Sequence, residues 1–509
     1  MDRLVAGRGG QAPASGGGLS VAVAMKTLSP GPTIADQPAR RVIDHCVRCG
    51  HCRDLMEHTS CLFFPRLYRL HDREAGGGKP ISREEMKHLF GLCNTCGICP
   101  CSPVHTWIRE AKDAFIERDG LPLNVRMLED VQLVGRIGNA LPRLVNKLLG
   151  EGPLAGGVKR VLGIHPERRM PRFPLTSFDV WAKARGLHRR PDTTGRKVAY
   201  FVGCSARYMF PEVAKATVEV LEKNGVAVYI PPQKCCGMPT MLEGDRDFSF
   251  KLARYNLDEL ARCIEAGFDI ITACPTCGYQ LKSVLSEGAQ YSSAYRERIK
   301  QLTREESDNV VAVSQRLEDQ EKVCTGRVNR RSAHLRQPWM LVFLPWKVFR
   351  DEGYFAELDA IKRLQVANHS YDLGEYLWEL HEQGELNENF GPLPAEVAYF
   401  APCHERQQQI GEPWLKLLGL LPEMQAKRVG DAFDCCGLAG IMGFKKNFHK
   451  TSLAIGARLS RKIEAATPDR VATDCLSCQV QFRQTQAHEV SHPVELLLQA
   501  YRLASERAE

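Results

Sequence analysis

The sequence predicts an α/β protein in which a mostly helical, cysteine-rich domain precedes two copies of an α/β domain with a short parallel sheet. Three observations predict this organisation. A pattern of five cysteines occurs twice. The cysteines of this pattern follow short apolar segments of strand character, which helical segments separate. The chain has 509 residues, 44% of them apolar, which is enough for roughly two to four domains.

The two copies of the five-cysteine pattern have almost the same spacing. A cysteine is followed by Cys-Cys-Gly and then by Cys-x-x-Cys, with 30 and 37 intervening residues in the first copy and 31 and 38 in the second. This agreement indicates an internal duplication. Thiolates in this number are soft ligands that hold iron–sulfur clusters or zinc. The members of the pattern are Cys204, Cys235, Cys236, Cys274 and Cys277 in the first copy, and Cys403, Cys435, Cys436, Cys475 and Cys478 in the second.

The composition limits the compartment and the partners. Twenty cysteines are too few for a disulfide scaffold of this length and occur as Cys-x-x-Cys groups, which favours a reducing compartment and bound metal. The net charge of +8, from 68 basic and 60 acidic residues, does not indicate a nucleic-acid partner. No run approaches the roughly 20 apolar residues of a membrane span. We therefore expect a cytoplasmic protein.

The first 38 residues are rich in Gly, Ala, Pro and Ser and are predicted to form a disordered tail. Their apolar segment is shorter than the roughly 7–15 residues of a signal-peptide core. Two interpretations stay open: an ordinary extension, or a natural start at Met25.

Residues 39–120 contain two cysteine triplets of the form Cys-x-x-Cys-x-x-Cys, each followed by one further cysteine. In two-cluster ferredoxins such a triplet holds a cubane [4Fe–4S] cluster and the fourth ligand comes from the other motif. The alternative is a pair of zinc sites, but a zinc ribbon does not need the third cysteine. The predicted sets are Cys46, Cys49, Cys52 and Cys101 for one cluster, and Cys93, Cys96, Cys99 and Cys61 for the other.

The fourth ligands depart from the bacterial ferredoxin pattern, in which three residues precede the fourth cysteine and a proline follows it. Eight residues separate Cys52 from Cys61, and a single residue separates Cys99 from Cys101. The departure concerns the assignment of Cys61 and Cys101 and leaves the two triplets intact.

Residues 121–195 are predicted to be a helical connecting segment. Within 125–150, apolar residues recur at helical spacing with Arg126, Arg136 and Arg143 between them, which predicts an amphipathic helix or a broken pair of helices. We expect this segment to pack between domains with a solvated face. The alternative is a surface that docks on an anionic membrane or on a partner subunit.

The duplicated half alternates strands and helices. Strands are predicted at 197–203, 226–230 and 268–273 in the first copy and at 396–400 and 470–474 in the second. Helices are predicted at 212–224, 248–266 and 493–504. The carboxyl ends of parallel strands converge on one crevice, so the cysteines that follow them are expected to meet there. The domains are predicted at 196–300 and 391–509, with a linker and helices at 301–390.

Four further residues complete the predictions for this half. Gly237 and Gly437 follow the cysteine pairs and are predicted to form tight turns that let the backbone approach a bound cofactor. Cys263 falls within a predicted helix and is expected to be a buried apolar residue. Cys324 lies in a polar stretch at 304–337, which we expect to be a solvated linker; the alternative is a docking site for an acidic partner.

The chain resembles the heterodisulfide reductase family. One subunit of that enzyme carries two copies of the cysteine pattern, and another fuses them to a two-cluster ferredoxin-like domain, which is the order found here. The chain is also similar to the iron–sulfur subunit of anaerobic glycerol-3-phosphate dehydrogenase. The stretches that carry this similarity include Cys274-Pro-Thr-Cys277, Ala401-Pro-Cys-His404, Ile410-Gly-Glu-Pro413 and Gly443-Phe-Lys-Lys446.

The resemblance implies that the five cysteines of each repeat hold a non-cubane [4Fe–4S] cluster, with zinc or an empty site as the alternative in one repeat. It implies an iron–sulfur electron-transfer subunit of an oxidoreductase complex, which passes electrons between a flavoprotein and a quinone or another carrier. The partners would be that flavoprotein or another redox subunit and a membrane quinone-reducing subunit. The protein would associate peripherally with the cytoplasmic face of the inner membrane.

Two other functions stay open. In the first, the chain itself reduces or forms disulfides at the non-cubane clusters, and His404, beside Cys403, protonates a leaving thiolate. Alternatively, His404 only hydrogen-bonds a cluster sulfur. The second is a structural zinc protein. No Gly-x-Gly-x-x-Gly follows a predicted strand, so a flavin or nicotinamide would have to come from a partner.

Overall fold

The computed structural model describes residues 36–99, 101–304 and 350–508. The predictions for the first 35 residues, for Cys324 and for the polar stretch at 305–337 lie outside these ranges. No helix among the described residues is both long and apolar enough to cross a membrane.

The N-terminal domain is helical, as predicted. Its first helix packs against its last, and Ala39, Val42 and Ile43 are fully buried between them and their neighbours. The fourth helix begins with a capping box in which Ser82 and Glu85 satisfy each other's backbone N–H groups. The helices are α1 (Gln37–Cys49), α2 (Cys52–Leu55), α3 (Phe63–Ala75), α4 (Arg83–Gly91) and α5 (Ser102–Asp119).

The connecting segment is a series of short helices, so the amphipathic stretch at 125–150 is broken rather than continuous. One break lies at Asp130, whose side chain accepts a hydrogen bond of 3.0 Å from Leu133 N and caps the next helix. The other lies at Leu141, where Pro142 begins a new helix. The helices are α6 (Leu123–Glu129), α7 (Val131–Ala140), α8 (Pro142–Leu149), α9 (Pro153–Val161) and α10 (Phe178–Ala184).

The first repeat is an α/β domain with a four-stranded parallel sheet in the order β2-β1-β3-β4. The fourth strand comes from the stretch assigned to the linker, where the sequence indicated no strand. The strands are β1 (Lys197–Tyr200), β2 (Ala227–Tyr229), β3 (Asp269–Thr272) and β4 (Ser370–Asp372). The helices are α11 (Cys204–Tyr208), α12 (Pro211–Lys223), α13 (Met238–Glu243), α14 (Arg246–Glu265), α15 (Pro275–Tyr279), α16 (Ser293–Arg304), α17 (Ala360–Asn368) and α18 (Leu373–Glu382).

The second repeat has the same architecture, with a parallel sheet in the order β6-β5-β7-β8. One apolar core extends through both repeats and includes Tyr200 of the first sheet and Tyr399 of the second. The predicted α/β fold with short parallel sheets is therefore confirmed. The strands are β5 (Ala395–Tyr399), β6 (Met424–Arg428), β7 (Arg470–Ala472) and β8 (Glu489–Ser491). The helices are α19 (Cys403–Gln407), α20 (Pro413–Leu418), α21 (His449–Ala466), α22 (Leu476–Thr485) and α23 (Pro493–Ala508).

Candidate metal centres

The five thiols of the first repeat form one connected group at the carboxyl edge of its sheet. Cys204 follows β1, the pair Cys235 and Cys236 follows β2, and Cys274 follows β3. Hydrogen bonds join Cys204 to Cys235, Cys235 to Cys236, Cys236 to Cys277 and Cys277 to Cys274. Each of the five residues is less than one-tenth exposed. The five thiols converge because the parallel sheet brings the carboxyl ends of its strands to one edge.

The second repeat reproduces this connected group. Hydrogen bonds join Cys403 to Cys435, Cys435 to Cys436, Cys436 to Cys478 and Cys478 to Cys475. The order of the contacts is the same as in the first repeat, so the duplication in sequence is also a duplication of site geometry.

The first cysteine of each Cys-Cys-Gly pair is the preferred thiolate. The pKa of Cys235 is held well below its ordinary value because Cys204 and Cys236 donate hydrogen bonds to it. Hydrogen bonds from Cys403 and Cys436 lower the pKa of Cys435 in the same way. The backbone N–H of the following glycine adds to both effects, at 3.4 Å in the second repeat. Each group therefore favours a thiolate at this cysteine, and in the second repeat a hydrogen bond from Cys478 also lowers the pKa of Cys475.

The glycines of the pattern have a conformation that side chains disfavour. Gly237 and Gly437 both have φ of +90°. A Cβ on Gly437 would lie 2.2 Å from the carbonyl oxygen of Ser452, so the turn also requires close packing. At Gly203, a Cβ would lie 2.9 Å from Cys277 Sγ, which shows how closely the backbone surrounds the first group of thiols.

The first N-terminal group contains Cys46, Cys49, Cys52 and Cys101. Burial raises the pKa of the Cys46 thiol to about 12, and the nearby thiols of Cys52, Cys101 and Cys49 raise it further, in that order. The structure thus brings Cys101 beside the triplet that lies about fifty residues earlier in the chain. Its Sγ is 3.8 Å from His45 Nε2.

The second N-terminal group contains Cys61 and the triplet at 93–99. Burial raises the pKa of Cys61 to about 12, and Cys93 is the nearest thiol that contributes to this rise. Burial also raises the pKa of Cys99, with further contributions from Cys93, Cys96 and Cys61. Each triplet therefore lies near the further cysteine that follows the other motif, and the assignment of Cys61 and Cys101 as fourth ligands stays a prediction.

His105 is a residue that the sequence analysis missed. Its Nε2 lies 2.7 Å from Cys99 Sγ. Burial lowers its pKa to about 4, so the imidazole is neutral at physiological pH and one ring nitrogen carries a proton. A neutral imidazole at this position can donate to the sulfur of Cys99. The sequence could have indicated His105 by its position near the start of a helix, six residues after Cys99.

The second N-terminal group adjoins the thiols of the second repeat. Burial raises the pKa of Cys96, and the thiol of Cys435 makes the next largest contribution to this rise. Cys96 in turn raises the pKa of Cys403. Gln407, four residues after Cys403, links the two segments directly, because its Nε2 donates a hydrogen bond of 2.9 Å to Gly97 O.

His404 lies between the two repeats. Its Nδ1 is 3.0 Å from Thr276 Oγ1, and its ring stacks on Tyr279 with 4.9 Å between centroids. Thr276 also hydrogen-bonds the thiol of Cys475, so the two five-thiol groups face each other across these residues. Burial lowers the pKa of His404 to about 4, which favours the neutral ring.

Cys263 lies apart from these groups. It is 1% exposed within α14 and packs against Ala199, Tyr229 and Phe268 of the first sheet, as expected of a buried apolar residue. None of the nineteen described cysteines forms a disulfide.

The donor sets fit iron–sulfur clusters. Five converging thiols exceed the four ligands of a structural zinc site, and the two N-terminal groups supply four thiols each, the number that a cubane cluster takes. Parallel-sheet domains with these sets at their carboxyl edges define an iron–sulfur protein of the oxidoreductase class.

Comparison with known proteins identifies the repeats. Residues 198–282 and 397–483, one stretch in each repeat, match the cysteine-rich domain family, abbreviated CCG, and the resemblance predicted from the cysteine pattern is confirmed. The chain is 25% identical over 377 residues to a subunit of the anaerobic glycerol-3-phosphate dehydrogenase of Escherichia coli, covering 74% of this chain and 76% of that protein.

Two archaeal relatives share shorter regions. A subunit of the fumarate reductase (CoM/CoB) of Methanothermobacter marburgensis is 23% identical over 315 residues, covering 60% of this chain and 47% of that protein. An uncharacterized iron–sulfur protein of Methanocaldococcus jannaschii is 37% identical over 291 residues, covering 57% and 41%. Two of these three relatives are named as oxidoreductase subunits and the third as an iron–sulfur protein.

Proposed function

We propose that this chain is the iron–sulfur electron-transfer subunit of an oxidoreductase complex, which carries electrons between a flavoprotein partner and a quinone or another carrier. The observation that carries the proposal is the electrostatic interaction of Cys96 with Cys435 and Cys403, together with the hydrogen bond from Gln407 to Gly97 O, because these interactions join the ferredoxin-like domain to the second repeat. Redox centres exchange electrons only over short distances, so adjoining sites are what a conduit requires. The names of the relatives support the same class of function.

Four ligand sets belong to this proposal. Two cubane [4Fe–4S] clusters would be held by Cys46, Cys49, Cys52 and Cys101, and by Cys61, Cys93, Cys96 and Cys99. Non-cubane [4Fe–4S] clusters would be held by the five cysteines of one or both repeats, with zinc as the alternative in one of them. When bound, such clusters take up and release single electrons. The chain's own residues hold the ligands in place, as Gln407 does at Gly97.

Pairwise interactions connect the four groups of thiols in a series. Cys52 and Cys61 lie where the two N-terminal groups meet, since the thiols of both raise the pKa of Cys99. The second N-terminal group then meets the second repeat at Cys96, and the two repeats meet at Thr276. We infer that electrons enter or leave at the ends of this series. The predicted domain division, with boundaries at 39–120, 121–195, 196–300, 301–390 and 391–509, is part of the same proposal.

The connecting helices supply a surface for a membrane or a partner subunit. Eight apolar side chains on α6–α9 and their flanks are between 45% and 84% exposed. Arginine and lysine side chains alternate with them, as at Arg136 and Lys147. We propose that this apolar and basic surface associates peripherally with an anionic bilayer. The apolar residues are Leu123, Met127, Leu133, Ile137, Leu141, Leu144, Leu154 and Val161.

The experiment is purification without oxygen, followed by iron and sulfide counting and by electron paramagnetic resonance during stepwise reduction. We expect more than one reducible cluster and full reoxidation by an artificial acceptor. Protein that folds without iron, or that carries iron but cannot be reduced, would overturn the proposal.

A second candidate function is disulfide chemistry at the repeats. It is favoured by the way the two five-thiol groups face each other across Thr276 and His404, which would place two clusters around one substrate. Titration with thiols and disulfides decides between the two functions. Resonance signals that change on adding a thiol support catalysis. Spectra that no thiol alters exclude it and favour the electron-transfer function.

A further inference from the structure

Arg168, in the loop between α9 and α10, is a fully buried arginine that contacts the second repeat. Its Nη1 donates a hydrogen bond of 2.7 Å to Gln481 Oε1, and its guanidinium carbon lies 5.0 Å from the centre of the Phe444 ring. Gln481 follows Cys478 by three residues on α22, so the two side chains occupy one face of that helix. The connecting segment thus places a cation against the helix that carries a cysteine of the second five-thiol group.

The backbone on both sides of Arg168 is held in place. The N–H of His165 donates to Phe444 O at 3.0 Å, which joins this loop to the second repeat. From the other side, Lys159 Nζ donates to Arg168 O at 2.8 Å. The position of the guanidinium is therefore set by the fold rather than by a flexible side chain on a mobile surface.

The chain leaves the charge of Arg168 without a carboxylate partner. Its Nε and Nη2 are buried and have no hydrogen-bond partner among the described residues. Burial lowers the pKa of Arg168 to about 10, and the thiol of Cys436 is the group whose charge opposes this effect. The residue is therefore a cation at neutral pH. A buried cation with two free donors is unfavourable unless an anion accepts them, and the interaction with Cys436 locates that anion at the second five-thiol group.

The first repeat provides an internal comparison. Gln280 follows Cys277 by three residues, as Gln481 follows Cys478. The side chain of Gln280 is also buried, but both of its amide atoms are without a hydrogen-bond partner in the part of the chain that the structure describes. The glutamine is thus common to both repeats, whereas the contact with Arg168 belongs to the second repeat.

We propose that Arg168 is the counter-charge of a [4Fe–4S] cluster in the second repeat and raises the reduction potential of that cluster. The inference rests on the proposed function, since it requires a redox cluster at this site. A cluster becomes more negative by one charge when it takes up an electron, so a buried cation stabilises the reduced form more than the oxidised form. One electron from the redox partner reduces the cluster, and Arg168 supplies the compensating charge in place of a proton.

The test is a potentiometric titration of the complete protein, purified without oxygen and followed by electron paramagnetic resonance. The signal that is lost in Cys436→Ser but kept in Cys236→Ser identifies the second repeat. Arg168→Met removes the charge, and Arg169→Met is the matched control, because the side chain of that neighbouring arginine is 57% exposed. Arg168→Lys keeps the charge.

In Arg168→Met we expect the ratio of reduced to oxidised second-repeat cluster, at a fixed solution potential, to fall about tenfold or more, which is a shift of about 59 mV. Arg168→Lys should retain most of the potential, and Arg169→Met should titrate as the unaltered protein does. The signals of the ferredoxin-like domain should not shift in any of these variants. Unchanged potentials in Arg168→Met, or an equal shift in Arg168→Lys, would overturn the inference.

Arg168→Gln covers the case in which Arg168→Met loses iron or does not fold. If both neutral variants lose only the iron of the second repeat while Arg168→Lys retains it, the positive charge is needed at this centre and the inference is supported. If Arg168→Lys loses that iron as well, Arg168 has a packing role and the inference fails. Reducible clusters whose potentials do not depend on the charge at position 168 refute this inference alone, whereas a protein that holds no reducible cluster refutes the proposed function.

Discussion

Thr276 Oγ1 lies 3.0 Å from His404 Nδ1, and this contact links the two five-thiol groups of the molecule. Thr276 stands between Cys274 and Cys277 of the first repeat, while His404 follows Cys403 of the second. The same hydroxyl bonds Cys475. It has one hydrogen, so when it donates to Cys475 it accepts from the Nδ1–H of His404. The two five-thiol groups are therefore joined by hydrogen bonds as well as by packing.

Thr276→Val should change the second repeat although the residue belongs to the first. The substitution keeps the shape and removes the hydroxyl, which leaves Cys475 and His404 short of a buried partner at a cost of about 1–3 kcal/mol. We expect a lower thermal midpoint and a more negative reduction potential of the second-repeat cluster, since a hydrogen bond to a ligand sulfur stabilises the reduced form. A potentiometric titration followed by electron paramagnetic resonance measures this. Thr276→Ser, which retains the hydroxyl, should have the thermal midpoint and the reduction potential of the unaltered protein. Identical potentials in the Val and Ser variants would show that the Thr276 hydroxyl does not connect the two groups.

Cys436→Ser should remove the signal of the second repeat and leave those of the ferredoxin-like domain. The residue contacts both Cys435 and Cys478, so its loss breaks the group in the middle. Cys236→Ser is the matched variant in the first repeat. Cys263→Ser is the control, because that buried thiol lies outside the groups. Loss of every signal in Cys436→Ser would show that the domains do not bind their metals independently.

The assignment of the fourth N-terminal ligands is tested by Cys61→Ser and Cys101→Ser. Because Cys61 lies with Cys93, its replacement should perturb the same resonance as Cys93→Ser. Because Cys101 lies with Cys46, its replacement should perturb the same resonance as Cys46→Ser. Iron content and resonance spectra of the four variants give the answer. If Cys61→Ser perturbed the same resonance as Cys46→Ser, the assignment of the two fourth ligands would have to be exchanged.

The strands that the sequence predicted are those with an apolar, β-branched pattern. The runs at 197–203 and 268–273 contain the central strands of the first sheet, and most of the buried residues of these strands are apolar: Val198, Ala199 and Tyr200 in β1, and Ile270 and Ile271 in β3. Strands β4, β6 and β8 were not predicted, since they are three to five residues long and contain Asp, Lys, Arg or Glu. Short polar edge strands are set by pairing with their neighbour rather than by their own composition.

Which cysteines lie together could be predicted from their spacing, whereas the arrangement of the four groups relative to one another could not. The electrostatic interaction between Cys96 and Cys435 joins residues more than three hundred positions apart, and no local pattern encodes it. The interaction of His105 with Cys99 depends on the direction in which α5 leaves the cysteine loop. Such relationships arise from packing between domains, which a single sequence specifies only through the complete fold.

Gly437→Ala should be far more damaging than Gly237→Ala, although both glycines have φ of +90°. Any side chain is strained at that angle, by about 1–2 kcal/mol. At Gly237 the nearest atom to an added Cβ is 3.7 Å away, an ordinary contact, whereas at Gly437 the carbonyl oxygen of Ser452 is 2.2 Å away and α21 would have to move. Thermal midpoints and iron content of the two variants measure the difference. Equal losses would mean that the backbone angle alone decides.

Asp113→Asn should alter how stability depends on pH. Burial raises the pKa of Asp113 to about 7, although Tyr354 donates a 3.1 Å hydrogen bond to it. Below about pH 4 the carboxyl is neutral in the folded and unfolded chains, so the substitution has little effect there. Between pH 4 and pH 7 the unfolded chain releases this proton while the folded chain keeps it, and folding loses up to about 4 kcal/mol. Asn keeps the acceptor for Tyr354 and removes this loss. The thermal unfolding midpoint of the variant should therefore rise relative to that of the unaltered protein as the pH increases to 7.

Asp119→Asn is the control of opposite sign. Arg118 and Lys87 lower the pKa of Asp119 through contacts of 2.6 and 2.8 Å, so its charge stabilises the folded chain at neutral pH and this contribution disappears as pH falls through the acid range. Asp119→Asn should therefore lower the midpoint at pH 7, by less than a buried group would because the pair is partly solvated. Calorimetric scans of both variants and the unaltered protein at several pH values test the pair of predictions. A midpoint difference for Asp113→Asn that does not change between pH 4 and pH 7 would mean that Asp113 ionises in the fold as it does in water.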